Sequence, residues 1–268
     1  MLNALLTGIL ASVACGVVGT YVVTRRITYM AGGIAHSVLG GMGVAYYLSR
    51  AHKLEMIQPL HGAVAAALLA AILIGWVSLR ARQREDTVIG AIWAIGMAVG
   101  IIFIAKTPGY NADLMSFLFG NILMVSARDI WLIIGLDALV VGVGLLFYNQ
   151  FLAVCYDEEF ARVRGIKVEF YYLLLLCLTA LTVVILVTVV GIVMVIALMT
   201  LPAAVAGYFS KTLRQTMLLA TVFSILFSIG GLGLSYGPNL PAGATIIVLA
   251  GVSYAIVTIA VNVLRARS

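Results

Sequence analysis

Long uncharged apolar runs separated by short charged segments dominate the chain. Their length of roughly 20 residues suits a helix crossing a hydrocarbon core of about 30 Å. Taken in order, they fall at residues 4–24, 28–48, 62–79, 88–105, 129–148, 170–187, 189–207, 216–235 and 243–263. The pattern predicts an all-α polytopic membrane protein with about nine transmembrane helices, or about eight to ten if a short apolar run at 112–124 forms a re-entrant helix. Residues 1–268 then read as a single transmembrane domain, with no room for a separate soluble one.

The charges between the runs alternate. Arg25, Arg26, Arg80, Arg82, Arg84, Arg162, Arg164, Lys167, Lys211, Arg214, Arg265 and Arg267 fall on one side, 12 of the 16 basic residues, while Arg50, Lys53, Lys106 and Arg128 fall opposite. The positive-inside bias assigns the larger set to the cytoplasm, with the N-terminus external and the C-terminus cytoplasmic. Composition agrees: 63% of residues are apolar and 10% charged, against roughly 25% charged in a soluble domain. Topology and anionic lipid account for the net charge of +6, so no nucleic-acid partner is implied. Cys15, Cys155 and Cys177 form no CxxC pair and read as packing residues. Arg25 and Arg26 follow the first apolar run, the reverse of a cleaved signal, so Met1 reads as the retained start of the first helix.

Against this apolar background the ionisable residues inside the runs stand out. His36 lies ten residues past Arg26, roughly 15 Å along a helix axis and therefore near the bilayer midplane. It is a candidate metal ligand, or else a neutral histidine bonded to a backbone carbonyl. Asp137 lies eight residues past Asp129 in an otherwise uncharged stretch, at a comparable depth, where a carboxylate costs about 2.5–3.5 kcal/mol unless paired or hydrated. His36 and Asp137 are expected to face one cavity and contact an ion together. The alternative for Asp137 is a protonated side chain bonded to a neighbouring helix or turned toward a dimer interface. Asp113 stands at a junction where an acid is often a helix N-cap. His52 and His61 read as solvated loop residues before ion-receiving ones, and Met194, Met199 and Met217 as packing before soft ligands.

Two segments on the basic side look like more than connectors. Tyr156 to Lys167, YDEEFARVRGIK, reads as a short acidic-then-basic helix ending at Gly165. From Pro202, where the seventh run is expected to stop, LPAAVAGYFSKTLRQTM suggests a short helix at about 202–216 suited to a groove on a partner protein. Gly32, Gly33, Gly40, Gly41 and Gly43 make the second run almost smooth, for close backbone approach or sliding.

The blocks RRITYMAGGIAHSVLGG (25–41), ADLMSFLFGNIL (112–123), EEFARVRGI (158–166), VGIVMVIALMTLPAAVA (190–206) and LPAGATIIVLAG (240–251) resemble, in order, the membrane permeases of zinc and manganese ABC importers. The resemblance implies a type II ABC importer-like permease that works as a homodimer with two cytoplasmic ABC ATPase subunits and an external metal-binding protein. The transported ion is Zn²⁺ or Mn²⁺, with Fe²⁺ equally suited to histidine and carboxylate ligands. No cofactor is tightly bound and ATP is used by the partner, in keeping with the lack of a GxxxxGK[ST] motif in this chain. The resemblance further implies a bacterial cell-membrane location, a coupling helix that includes Pro202, Ala203, Ala204, Lys211 and Arg214, and an entrance or gating role for Asp113 as the alternative to an N-cap. The family's acid four positions before the histidine is replaced here by Gly32. A proton-driven secondary metal transporter, a siderophore or vitamin B12-type permease and an intramembrane metalloprotease are the rival readings. The last needs two histidines one turn apart, which His36, His52 and His61 do not provide.

Overall fold

The computed structural model describes residues 2–51, 58–80, 85–107, 120, 126–238 and 240–267. These residues form helices and connecting turns, with no strand among them. In chain order the helices are α1 (Leu2–Thr24), α2 (Thr28–Ala51), α3 (Pro59–Arg80), α4 (Glu85–Lys106), α5 (Ala127–Leu146), α6 (Tyr148–Tyr156), α7 (Glu158–Val163), α8 (Val168–Val190), α9 (Ile192–Phe209), α10 (Leu213–Tyr236) and α11 (Ala242–Arg267). The predicted apolar runs fall on these helices, the fifth (129–148) reaching across the α5–α6 break and the seventh (189–207) beginning in the last residues of α8. Among the described residues six helices are long and apolar enough to cross a membrane, or up to seven if the bent pair α5–α6 forms one span. In α2 the glycines, His36 and Ser37 dilute the apolar run, and α8 carries the shorter stretch Val168–Val184. The chain is a multi-pass membrane protein.

Packing divides these helices into two groups. The helix α1 is the most enclosed of the six spans, gripped by α5, α9 and α10, whereas α11 packs on α9 and α10 with most of its surface open. In the second group α2 lies between α3 and α4. The helix α8 joins them, touching α3 and α2 on one side and α1, α5 and α9 on the other. Tyr172 on α8 fixes this junction: its hydroxyl donates to Met30 Sδ at 3.1 Å and lies 3.0 Å from Ser78 Oγ.

Close approach within the second group depends on glycine. An ideal Cβ at Gly41 would collide with the Gly62 carbonyl of α3, and one at Gly62 with the Gly41 carbonyl. Toward α4, a Cβ at Gly40 would stand 2.7 Å from the Gly96 carbonyl oxygen and one at Gly43 2.5 Å from that of Gly100. Such a smooth seam brings two backbones into van der Waals contact and replaces the hydrophobic effect as the source of helix association in lipid.

Three local features differ from the sequence expectation. The fifth run does not continue straight past residue 146: α5 and α6 meet at an angle of 70°. The seventh run does not stop at Pro202, which lies inside α9; this helix continues to Phe209. A proline costs a helix one hydrogen bond, here to the Leu198 carbonyl, and the flanking turns of α9 persist around it. The chain then reverses at Ser210–Thr212. Thr212 caps α10 by accepting from the Gln215 N–H at 3.3 Å, and Gln215 Oε1 accepts from the Lys211 N–H at 3.0 Å, a variant of the reciprocal capping box. This cap starts α10 at Leu213 and leaves no separate short helix at 202–216. The 156–167 segment folds as expected: Asp157 caps α7 through the Phe160 N–H at 2.9 Å, and Gly165 follows its end with a positive φ of 76°.

Candidate metal pathway

His36 is carried on the middle of α2, the most glycine-rich helix, where it is 9% exposed. Its ring stacks on Trp93 of α4, with centroids 4.3 Å apart and planes inclined by 14°. Trp93 also lies 6.0 Å from the Tyr29 ring. His36 Nδ1 is buried with no hydrogen-bond partner among the described residues. A histidine satisfied through that nitrogen by a backbone carbonyl is therefore not what the structure contains. A buried polar atom without a partner is costly, and an imidazole nitrogen so placed is available to a cation. The stacked indole fixes the ring plane.

Gly32, one turn earlier on α2, has room for a side chain. A Cβ there would meet Trp93 Cζ3 at 3.7 Å, ordinary contact distance, unlike the collisions at Gly40 and Gly41. Packing therefore does not demand glycine at this position, and the absence of an acid there is a difference in chemistry more than in shape.

Asp137 lies in the interior half of α5, is 7% exposed, and has neither carboxylate oxygen hydrogen-bonded among the described residues. A carboxyl group bonded to a neighbouring helix, one of the alternatives, is not seen. The helix α5 packs on α1 and α8, while α2 packs on α3, α4 and α8. His36 and Asp137 thus sit on helices with no extensive shared face, and among the described residues no three His, Cys, Asp or Glu side chains gather around a common point. Asp113, His52, Lys53, Arg82 and Arg84 lie outside the described residues.

The other sequence candidates are resolved by burial. Met194, Met199 and Met217 lie in the hydrophobic core, as packing residues should. His61 accepts from the Gln58 N–H through Nδ1 at an exposed site. The three cysteines are free. At the basic end, Pro202 and Ala203 are buried and Ala204 is half-buried, so these residues do not form the outer surface of a coupling helix. Lys211 and Arg214 are exposed on the α9–α10 turn beside exposed Phe209, and the Arg214 guanidinium lies 4.8 Å from the Tyr148 ring centroid of α6.

One feature escaped the sequence reading. Trp93 looks like ordinary packing in an apolar run, and only the fold brings it to His36. The break between α8 and α9 sits at Gly191, with φ 87° and ψ 156°, a conformation essentially reserved for glycine. Gly120 abuts it closely enough that an added Cβ would stand 2.6 Å from Gly191 N. Replacing Gly191 with alanine should therefore introduce about 1–3 kcal/mol of backbone strain. For a permease driven by a partner ATPase, as the resemblance implies, slower transport with ATP hydrolysis retained is expected, the two rates being measured together in one reconstituted preparation. Equal loss of both rates would indicate misassembly instead.

Known proteins place this geometry in context. A membrane protein of Chlamydia muridarum described as a "Probable metal transport system membrane protein" is 42% identical over 253 residues, 94% of this chain and 86% of its own. The manganese transport system membrane protein MntC of Halalkalibacterium halodurans is 33% identical over 95% of this chain and 85% of its own. The solved structure of PsaBC from Streptococcus pneumoniae in complex with Fab superposes with a TM-score of 0.84 at 31% identity, covering 95% of this chain and 89% of that one. The ABC 3 transport family matches residues 1–261, and the chain belongs to that family.

Proposed function

We propose that this chain is the permease subunit of an ATP-driven importer for a divalent transition metal ion, delivered by an external binding protein and moved by ATP hydrolysis in a separate cytoplasmic subunit. The observation that carries the reading is His36: a buried imidazole with a nitrogen unpartnered among the described residues, stacked on Trp93 in the middle of a glycine-lined helix. Membership of the ABC 3 transport family supports a coupling to ATP. In this reading nine helices cross the membrane with the N-terminus outside and the C-terminus in the cytoplasm. Two copies of the permease enclose the pathway, and the ATPase docks on the exposed α9–α10 turn bearing Lys211 and Arg214.

Among the candidate ions, relatives named for manganese transport favour Mn²⁺, and Zn²⁺ and Fe²⁺ share the same ligand chemistry. His36 is the midplane ligand, Asp137 supplies a carboxylate to the same path, and Asp113 belongs to its entrance. With few strong ligands, the site holds the ion loosely enough to release it. Transport of the three ions by the chain reconstituted with its ATPase and binding protein tests the reading: saturable, ATP-dependent uptake of one of them is expected. Uptake driven by a proton gradient without ATP would favour a secondary transporter. In the same assay Asp137→Asn should lower uptake about tenfold, the lower end of losses seen when a ligand's supporting group is removed. Normal uptake with normal assembly would take Asp137 out of the path.

A further inference from the structure

The turn between α1 and α2 holds a residue in a backbone conformation its type disfavours. Arg26 has φ 62°, and it is the one non-glycine residue with positive φ among those described. Two hydrogen bonds close the turn, from the Arg26 N–H to the Val23 carbonyl at 3.1 Å and from the Ile27 N–H to the Val22 carbonyl at 3.0 Å. This is the helix-ending arrangement in which glycine is the usual residue at the left-handed position. Arginine keeps the turn while adding a guanidinium that glycine would lack. A local strain of this kind points to a use for the side chain.

That side chain lines a cavity of about 350 Å³ at the basic end of the helices, with Arg25, Arg162, Glu158, Ser78 and Tyr172 among its walls. Two of the three guanidiniums are already engaged. Arg25 pairs with Glu158, and Arg162 pairs with Glu169 at 2.6 Å. Arg26 forms no ion pair among the described residues. Arg25 Nε is enclosed and has no acceptor among the described residues, while the guanidinium carbon lies 5.5 Å from the Tyr172 ring centroid. The walls therefore carry three cations against the Glu158 carboxylate, together with a buried donor that has nothing to donate to.

We propose that this cavity binds a phosphate group, with Arg26 as its unshared cation and Arg25 Nε as its enclosed donor. A guanidinium fork bonds phosphate oxygens bidentately, and a phosphate has oxygens enough to accept from more than one guanidinium at once. The cavity lies where α1, α3 and α8 start or stop, the level at which a lipid headgroup meets a spanning protein. The phosphate therefore has two possible sources, an anionic phospholipid or a soluble phosphate. Either would reach from the α1–α2 turn to Glu158 and Arg162 on α7, and so fasten the base of the His36 helix to the acidic-basic segment beside it.

The test uses the full chain in nanodiscs of phosphatidylcholine alone or mixed with phosphatidylglycerol. Lipids retained after release are counted by native mass spectrometry. Thermal unfolding in the neutral discs is followed with inorganic phosphate against chloride at equal ionic strength. Arg26→Gly is the variant of choice because glycine accepts the left-handed backbone. Should it unfold earlier in neutral discs, Arg26→Asn, which also tolerates that conformation, carries the same comparison. The wild type should retain phosphatidylglycerol selectively, with the preference falling about fivefold on loss of one cation near an anionic headgroup; this assigns the phosphate to lipid. A phosphate-specific rise in unfolding temperature that disappears in the variant assigns it to a soluble ion. Equal lipid retention in wild type and variant, with no phosphate-specific shift, overturns the proposal.

Discussion

Replacing Gly41 with valine should prevent α2 and α3 from assembling. A Cβ at this position collides with the Gly62 carbonyl and would also come within 2.6 Å of the Ala66 Cβ. Ordinary overpacking costs about 1–3 kcal/mol because a neighbouring side chain can yield. At Gly41 the obstacle is backbone, so the helices must separate along the seam, and the cost should exceed that range. Purified protein would then show early thermal unfolding and poor recovery as a monodisperse species. Gly32→Ala is the matched control, since its Cβ meets only Trp93 Cζ3 at 3.7 Å. It should unfold within a few degrees of the wild type. If Gly41→Val proved as stable as Gly32→Ala, the close α2–α3 contact would be wrong.

The second large effect is on transport. His36→Ala should reduce metal uptake by more than about tenfold, because losing a supporting group near a metal already costs tenfold to a hundredfold, and losing the ligand itself should cost no less. The substitution leaves the glycine contacts of α2 untouched, so folding should persist. Trp93 would lose its stacked partner, and Trp93→Leu should produce a milder loss of uptake by freeing the imidazole to rotate. These paired results separate a ligand from a residue that merely packs.

The helical plan could be read from the sequence because lipid imposes a strong rule: backbone groups must pair within the segment, so long apolar runs become helices. The smooth second run was likewise visible in its glycines, and its close contacts with α3 and α4 follow from them. What stayed hidden were features set between segments. Pro202 reads as a stop, yet α9 continues through it, and the chain ends that helix later, where Thr212 and Gln215 can cap the next one. The bend between α5 and α6 comes at the end of the fifth apolar run, just before Asn149 and Gln150, with no proline to mark it.

The site was legible in part for the same reason. A lone histidine in an uncharged run is a candidate on sequence alone, whereas its stacking partner is 57 positions away on another helix. Depth along a helix placed Asp137 level with His36. Depth says nothing of which face a residue presents or which helices adjoin, and α5 packs on α1 and α8 instead of α2. The segment at 202–216 was read as one short helix, whereas α9 runs through Pro202 to Phe209 and the exposed surface there is the turn bearing Lys211 and Arg214, with Pro202 and Ala203 buried behind it.

The most direct measurement of the central claim is ATP-dependent uptake of Mn²⁺, Zn²⁺ and Fe²⁺ into liposomes containing the chain, its ATPase and its binding protein, comparing the wild type with His36→Ala. Uptake of one metal that falls more than about tenfold in the variant, with ATP hydrolysis retained, is the predicted result. Undiminished uptake in a correctly assembled His36→Ala complex would contradict a metal path through His36.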